Sequence, residues 1–482
     1  MSQEIAYISA HELVAAFAAG SLTPPLACEV ALKRQACFEP VLNAFQVVDA
    51  ESARESAERS AGRWRQGRPL GPLDGVPLHI KDTVQAAGWP TRLGSLTVAA
   101  EGPWQDDAPV VARLREAGAV ILGKTTMPEF GWKGMTDGPL FGTTRNPWKP
   151  ARTPGGSSGG AAAALAAGIG QLAFGNDGGG SIRIPANFCG LFGLKPNFGR
   201  VPNWPNENPF ATLVAGGPIT RNVRDAALML NEMAKPDRRD WYALPYRGQD
   251  WTAGLEDGVE GLKVAFAPGL GGAEPDAEIL APVRRACDAM AALGATVEEV
   301  GEVIAPLEPD FADYWIAAFA SILRQVPRKR WDDLDPEFHR LAEAGLEVGM
   351  EAYVQAMEAR ARLGTLMNAF HADYDLLLTP TQPTPPPSAG TIYHSAAYDR
   401  YRHAVPYTLP FNLTGQPAAS LPCGVTTAGL PVGLQIVGPQ YGEALVLRAA
   451  ASLERELALP VPHPKLVESL AEIVAEQPTG QG

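Results

Sequence analysis

Asn176-Asp177-Gly178-Gly179-Gly180-Ser181-Ile182-Arg183-Ile184-Pro185 is the stretch from which the chain is best read, together with Gly155-Gly156-Ser157-Ser158-Gly159-Gly160 upstream of it. A small-residue segment lies between the two serines and predicts a helix over Gly159–Ala167. Glycine opens backbone conformations closed to other residues and lets a bound molecule approach the main chain. Three glycines before Ser181 leave N–H groups able to converge on one point, as stabilisation of an oxyanion requires. A third element is Lys81, at the end of Gly75-Val-Pro-Leu-His-Ile80, which reads as a short strand. Asp177 and Arg183 read as ties within the loop, and Ser158 as a hydroxyl at a helix start.

Working outward, helical periodicity marks His11–Ala19, Pro25–Ala36, Ala50–Arg65, Asp107–Ala117 and Val223–Met233, the last with Asn222 as N-cap. Further helices are expected at Ala277–Leu293, Phe311–Val326, Pro336–Ala344, Glu351–Phe370 and Glu443–Glu456. Apolar runs at Ala119–Leu122, Leu172–Phe174, Leu262–Phe266, Ala295–Val300, Asp375–Thr379, Ala418–Leu421 and Val432–Val437 read as strands. This alternation predicts an α/β protein with a large, mixed, mostly parallel twisted sheet covered by helices on both faces. The chain is expected to be one unit over 1–482. It comprises a helical segment 1–65, a core 70–235, a variable helical region 240–380, and strands and a helix over 381–470 that complete the core.

Composition narrows the function. The 482 residues are 46% hydrophobic and 19% charged, ordinary globular material, and 50 glycines with 44 prolines imply many shaped loops. A net charge of −13 disfavours nucleic acid and anionic lipid as partners. The start has no secretory pattern, and the weakly polar run Ala161–Phe174 is too short to span a bilayer. Five cysteines without C-x-x-C spacing read as reduced thiols in a cytoplasmic protein. Seven scattered histidines give no metal site, so chemistry without metal or cofactor is expected.

Two short patterns mislead. Gly118–Thr125 matches a phosphate-binding loop, but its middle is an apolar strand and a helix precedes it. Gly155–Gly159 matches a nucleophile elbow, which needs a strand before the serine; Pro147, Pro150 and Pro154 stand there instead. Asp375 and His403 would be the partners in that reading.

Taken together, these motifs resemble the amidase signature family. The resemblance extends through Leu122–Phe130, Phe141–Trp148, Gly190–Pro196, Gly217–Asp225 and Pro410–Ala418, nearly the whole chain. It implies a hydrolase with Ser181 as nucleophile, Ser157 on a cis peptide bond as proton bridge, and Lys81 as base. Gly178, Gly179, Gly180 and the Ser181 N–H would line the oxyanion hole, and Gly131 would border the acyl pocket. A lysine can serve as base if burial lowers its pKa. Many relatives carry threonine or a larger residue where Gly178 stands, which leaves the loop freer here. The Pro128–Gly131 segment and Ile184 are more like free-standing amidases than the glutamine-hydrolysing chains of tRNA-dependent amidotransferases.

The expected activity is cleavage of the C–N bond of a small, largely apolar linear amide, with ester or carbamate as further substrates, through an acyl-enzyme. Phe130, Trp132, Trp204, Phe210, Tyr393 and Phe411 border the variable regions that would form the pocket, where Lys133 is the main fixed cation. The alternatives are a glutamine-hydrolysing subunit of a tRNA-dependent amidotransferase, and a non-catalytic binding protein. A homodimer is left open.

Overall fold

The computed structural model describes residues 2–206, 210–307, 311–390 and 407–476. Tyr393 and His403 therefore lie outside the described residues. Eleven strands share one sheet: β1 (Phe45–Val48), β2 (Pro77–Lys81), β3 (Val120–Thr125), β6 (Leu172–Asp177), β7 (Phe192–Lys195), β8 (Ala215–Thr220), β9 (Lys263–Phe266), β10 (Thr296–Glu299), β11 (Leu376–Pro380), β12 (Ala418–Val425) and β13 (Pro431–Val437). The pair β4 (Asp137–Gly138) and β5 (Gly142–Thr143) stands apart. The order is β1-β3-β2-β6-β8-β7-β12-β13-β11-β9-β10.

The mixed, helix-covered sheet is as expected, but parallel pairing is the minority. β3–β2, β2–β6, β11–β9 and β9–β10 are parallel, while β1–β3, β6–β8, β8–β7, β7–β12, β12–β13 and β13–β11 are antiparallel. Two features cause the difference. β8 inserts between β6 and β7, running against both, and the tight turn between β12 and β13 can only join antiparallel strands.

Helix limits follow local chemistry. Val223–Met233 starts where the Asn222 side chain accepts from Asp225 N, as its sequence predicts. Gly159–Ala166 is buried along its length, because glycine and alanine let it sit between layers. Its N-cap is Ser158, yet that hydroxyl makes no cap bond and donates to the Asn176 carbonyl at 3.3 Å. One core cluster packs around β2, β7, β12 and β13 with helices Val223–Met233 and Glu443–Leu457. A second is aromatic and joins the helix Ala312–Leu323 to Trp132, Phe210, Phe338 and Phe411. Among the described residues, no helix is long and apolar enough to cross a membrane.

The two misleading patterns resolve physically. Gly118–Thr125 leads into β3, whose Lys124 is buried and binds Asp82 at 3.0 Å and Thr91 Oγ1 at 2.7 Å. The segment before Ser157 is not a strand.

Candidate active site

Parallel β2 and β6 end at the same sheet edge, which brings Lys81 and Asn176-Asp177 side by side. The loop carrying Ser157 folds over them. Lys81 Nζ lies 2.7 Å from Ser157 Oγ and 2.6 Å from Asn176 Oδ1. The Gly156–Ser157 peptide is cis. Ser181 adjoins this pair, its carbonyl accepting from Ser158 N at 3.2 Å. Lys81 is fully buried, and burial pushes its pKa down to about 7, against the pull of Asp177 and Asp82. Asn176 Oδ1 can only accept, so it takes one Nζ–H. A neutral Lys81 then has a lone pair to offer the Ser157 hydroxyl.

The loop before Ser181 is held from inside. The Asp177 carboxylate accepts from Gly180 N at 2.7 Å, Ile182 N at 3.1 Å and Arg183 Nε and Nη2, both at 2.9 Å. Asn412 Nδ2 adds a bond at 2.9 Å, and Arg183 Nη2 donates to Asn412 Oδ1 at 2.6 Å. Burial pushes the Asp177 carboxyl up, but Arg183, with Lys195 and Asn412, more than reverses this and holds it below the usual range. Asp177 and Arg183 are thus ties, as their positions suggest.

Of the four expected oxyanion amides, Gly180 N–H is committed to Asp177. The N–H groups of Gly178, Gly179 and Ser181 have no partner among the described residues. Gly180 is needed for shape: its φ is +128°, and a Cβ there would lie 2.4 Å from Thr408 Oγ1. Thr408 in turn donates to the Gly179 carbonyl at 2.6 Å. Gly178 is not loosely placed, since a Cβ there would meet Val214 Cγ2 at 3.2 Å.

Gly131 lies beside Ser157. Its φ is +70°, and a Cβ would sit 3.2 Å from Ser157 Oγ. The turn is anchored by buried Glu129, which accepts from Ser95 Oγ and Asp335 N, both at 2.6 Å. Burial raises its pKa to about 7 despite those bonds.

An aromatic wall adjoins the loop. A Cβ on Gly179 would lie 3.2 Å from Trp315 Cη2, and the Trp315 and Phe210 rings are 4.7 Å apart. Phe130, Trp132, Phe210 and Phe411 belong to the same cluster. Trp204 does not; the Arg239 guanidinium covers its ring at 4.7 Å. Lys133 is no free cation, because its Nζ lies 2.5 Å from Asp137 Oδ1 and 3.3 Å from Asp335 Oδ2. Nothing in the sequence alone singles out Asn176, Glu129, Trp315, Thr408 or Asn412 as site residues. Glu129, Asn176 and Asn412 fall inside motifs that carry the family resemblance, which is the available signal; Trp315 falls in a variable region and has none.

Comparison with known proteins gives this chain its class. Residues 27–447 match the Amidase family model. The chain is 37% identical to an acylamidase of Rhodococcus erythropolis over 94% of this chain and 96% of that protein. It is 36% identical to a subunit of the glutamyl-tRNA(Gln) amidotransferase of Moorella thermoacetica, over 94% and 97%. A bacterial aryl acylamidase structure superposes with a TM-score of 0.87 at 30% identity, covering 98% of this chain and 99% of that one. The chain belongs to the amidase signature family, and it is an amidohydrolase.

Proposed function

We propose that this enzyme hydrolyses a small, largely apolar, neutral acyl amide through an acyl-enzyme on Ser181. Neutral Lys81 takes the Ser157 proton as Ser157 takes that of Ser181, and Ser181 Oγ bonds to the carbonyl carbon. The N–H groups of Gly178, Gly179 and Ser181 receive the oxyanion. The Lys81 ammonium returns its proton through Ser157 to the leaving nitrogen as the C–N bond breaks. Water then repeats the sequence on the ester and releases the acid. Esters and carbamates with an equally apolar acyl part follow the same route.

The observation that carries this reading is the 2.7 Å approach of the fully buried Lys81 Nζ to Ser157 Oγ, beside the Trp315 wall. The substrate class rests on that wall and on the lack of spare charge: Lys133 is paired with Asp137 and Asp335, and Arg183 with Asp177. A substrate carboxylate would find no free clamp on these groups. The similarity to an amidotransferase chain favours glutamine as a second reading. Measuring kcat/KM for an acyl anilide against glutamine separates them. The anilide should win; a glutamine advantage above about tenfold, or roughly 1.4 kcal/mol, contradicts the apolar reading.

A further inference from the structure

A cavity of about 610 Å³ opens at the same sheet edge, beyond β8 and β7, and none of Lys81, Ser157 or Ser181 lines it. Its walls include Phe198, Tyr242 and Tyr441, the amides of Asn197 and Asn368, and Arg360. Residues 212–214 separate it from the proposed oxyanion loop: Thr212 lines the cavity, and Val214 packs on Gly178.

Arg360 is the unusual group. Its guanidinium is half-buried and donates to the Leu413 carbonyl at 2.6 Å, Thr212 Oγ1 at 2.6 Å and the Thr212 carbonyl at 3.3 Å. All three acceptors are neutral. Among the described residues, no carboxylate pairs with it, and the titratable groups facing it are the phenols of Tyr314 and Tyr353. A guanidinium carries five N–H donors, and these bonds use one each on Nε, Nη1 and Nη2. One N–H therefore remains on each terminal nitrogen. Asn368 is exposed on the same helix, Met350–Asp373, and its amide has no hydrogen bond among the described residues.

From this we infer that the cavity is a second ligand site, taking a small aromatic carboxylate. The charge asks for a monoanion, because among the described residues Arg360 is the cation lining the cavity and no carboxylate pairs with it. Each remaining N–H can donate singly to an anionic oxygen, and a singly charged carboxylate matches one guanidinium in charge. Phe198 and Tyr242, edge to face at 5.3 Å, offer flat apolar surface beside that charge. The site is independent of the proposed catalytic reading.

Titration calorimetry with benzoate tests this on the whole enzyme. Binding at one equivalent is expected, unchanged in Lys81→Ala and weakened at least about tenfold in Arg360→Gln. Because Arg360 also bonds Thr212 and Leu413, the surface variant Asn368→Asp supplies a second arm. Its added negative charge should cost a similar factor without touching those bonds. Absence of binding in the wild-type enzyme, equal affinity in Asn368→Asp, or loss of binding in Lys81→Ala overturns the proposal. Displacement of benzoate by millimolar inorganic phosphate overturns the assignment to a carboxylate.

Discussion

The polar edge of the sheet and the aromatic cover beside it are built on opposite principles. At the edge, Lys81, Asp177 and Arg183 are fully buried, and each is hydrogen-bonded to groups in its own or neighbouring motifs. The cover, from Trp132, Phe210 and the helix Ala312–Leu323, is held chiefly by ring packing. Buried polar networks are specific because an unmatched member costs several kcal/mol, whereas apolar packing tolerates exchange at similar volume. On the proposed reading the chemistry is accordingly fixed at the edge, and the choice of substrate is free to drift in the cover.

Breaking the edge should have the largest effect. Lys81→Ala is expected to lower kcat/KM by at least about 10⁴-fold, because residues that act as one unit fail together. A loss under tenfold in steady-state assays would remove Lys81 from the chemistry. Asp177→Asn should leave Arg183 buried without its partner and cost about 3–5 kcal/mol of stability. Urea unfolding checks this, and a shift below about 1 kcal/mol would mean the loop is held some other way.

Changes in the cover should be milder and selective. Trp315→Ala is expected to reduce kcat/KM for an anilide by about 10–100-fold, or roughly 1–3 kcal/mol, while short aliphatic amides lose less. Equal losses for both would take Trp315 out of the pocket. The pH profile sharpens the contrast within the edge. The base must be neutral, and its neutral fraction falls as pH drops below about 7, so kcat/KM should fall about tenfold per unit on the acid side. Glu129 also titrates near 7, through burial. Glu129→Gln should keep the acid limb; its loss in that variant would reassign the limb to Glu129.

The same division explains what can be read from sequence. Lys81, Ser157 and Ser181 stand out because each sits in a glycine-rich or strand-end motif that carries the family resemblance, and the structure brings Lys81 and Ser157 together. Helices such as Ala50–Arg65 and Val223–Met233 are legible to the residue because periodicity and caps agree. β7 and β8 are not, since Phe-Gly-Leu-Lys and Ala-Gly-Gly-Pro-Ile-Thr carry the glycine and proline of turns. Only pairing with distant β6 and β12 makes them strands, and that insertion supplies two of the six antiparallel pairings. Thr408 and Asn412 secure the Ser181 loop from more than 200 residues away, a distance at which no local pattern speaks.

The central claim, that Ser181 attacks and Ser157 only relays, is tested most directly by locating the covalent adduct of a fluorophosphonate by peptide mass spectrometry. The account predicts modification of Ser181, abolished in Ser181→Ala and strongly slowed in Lys81→Ala. An adduct on Ser157 in the wild-type enzyme would contradict it.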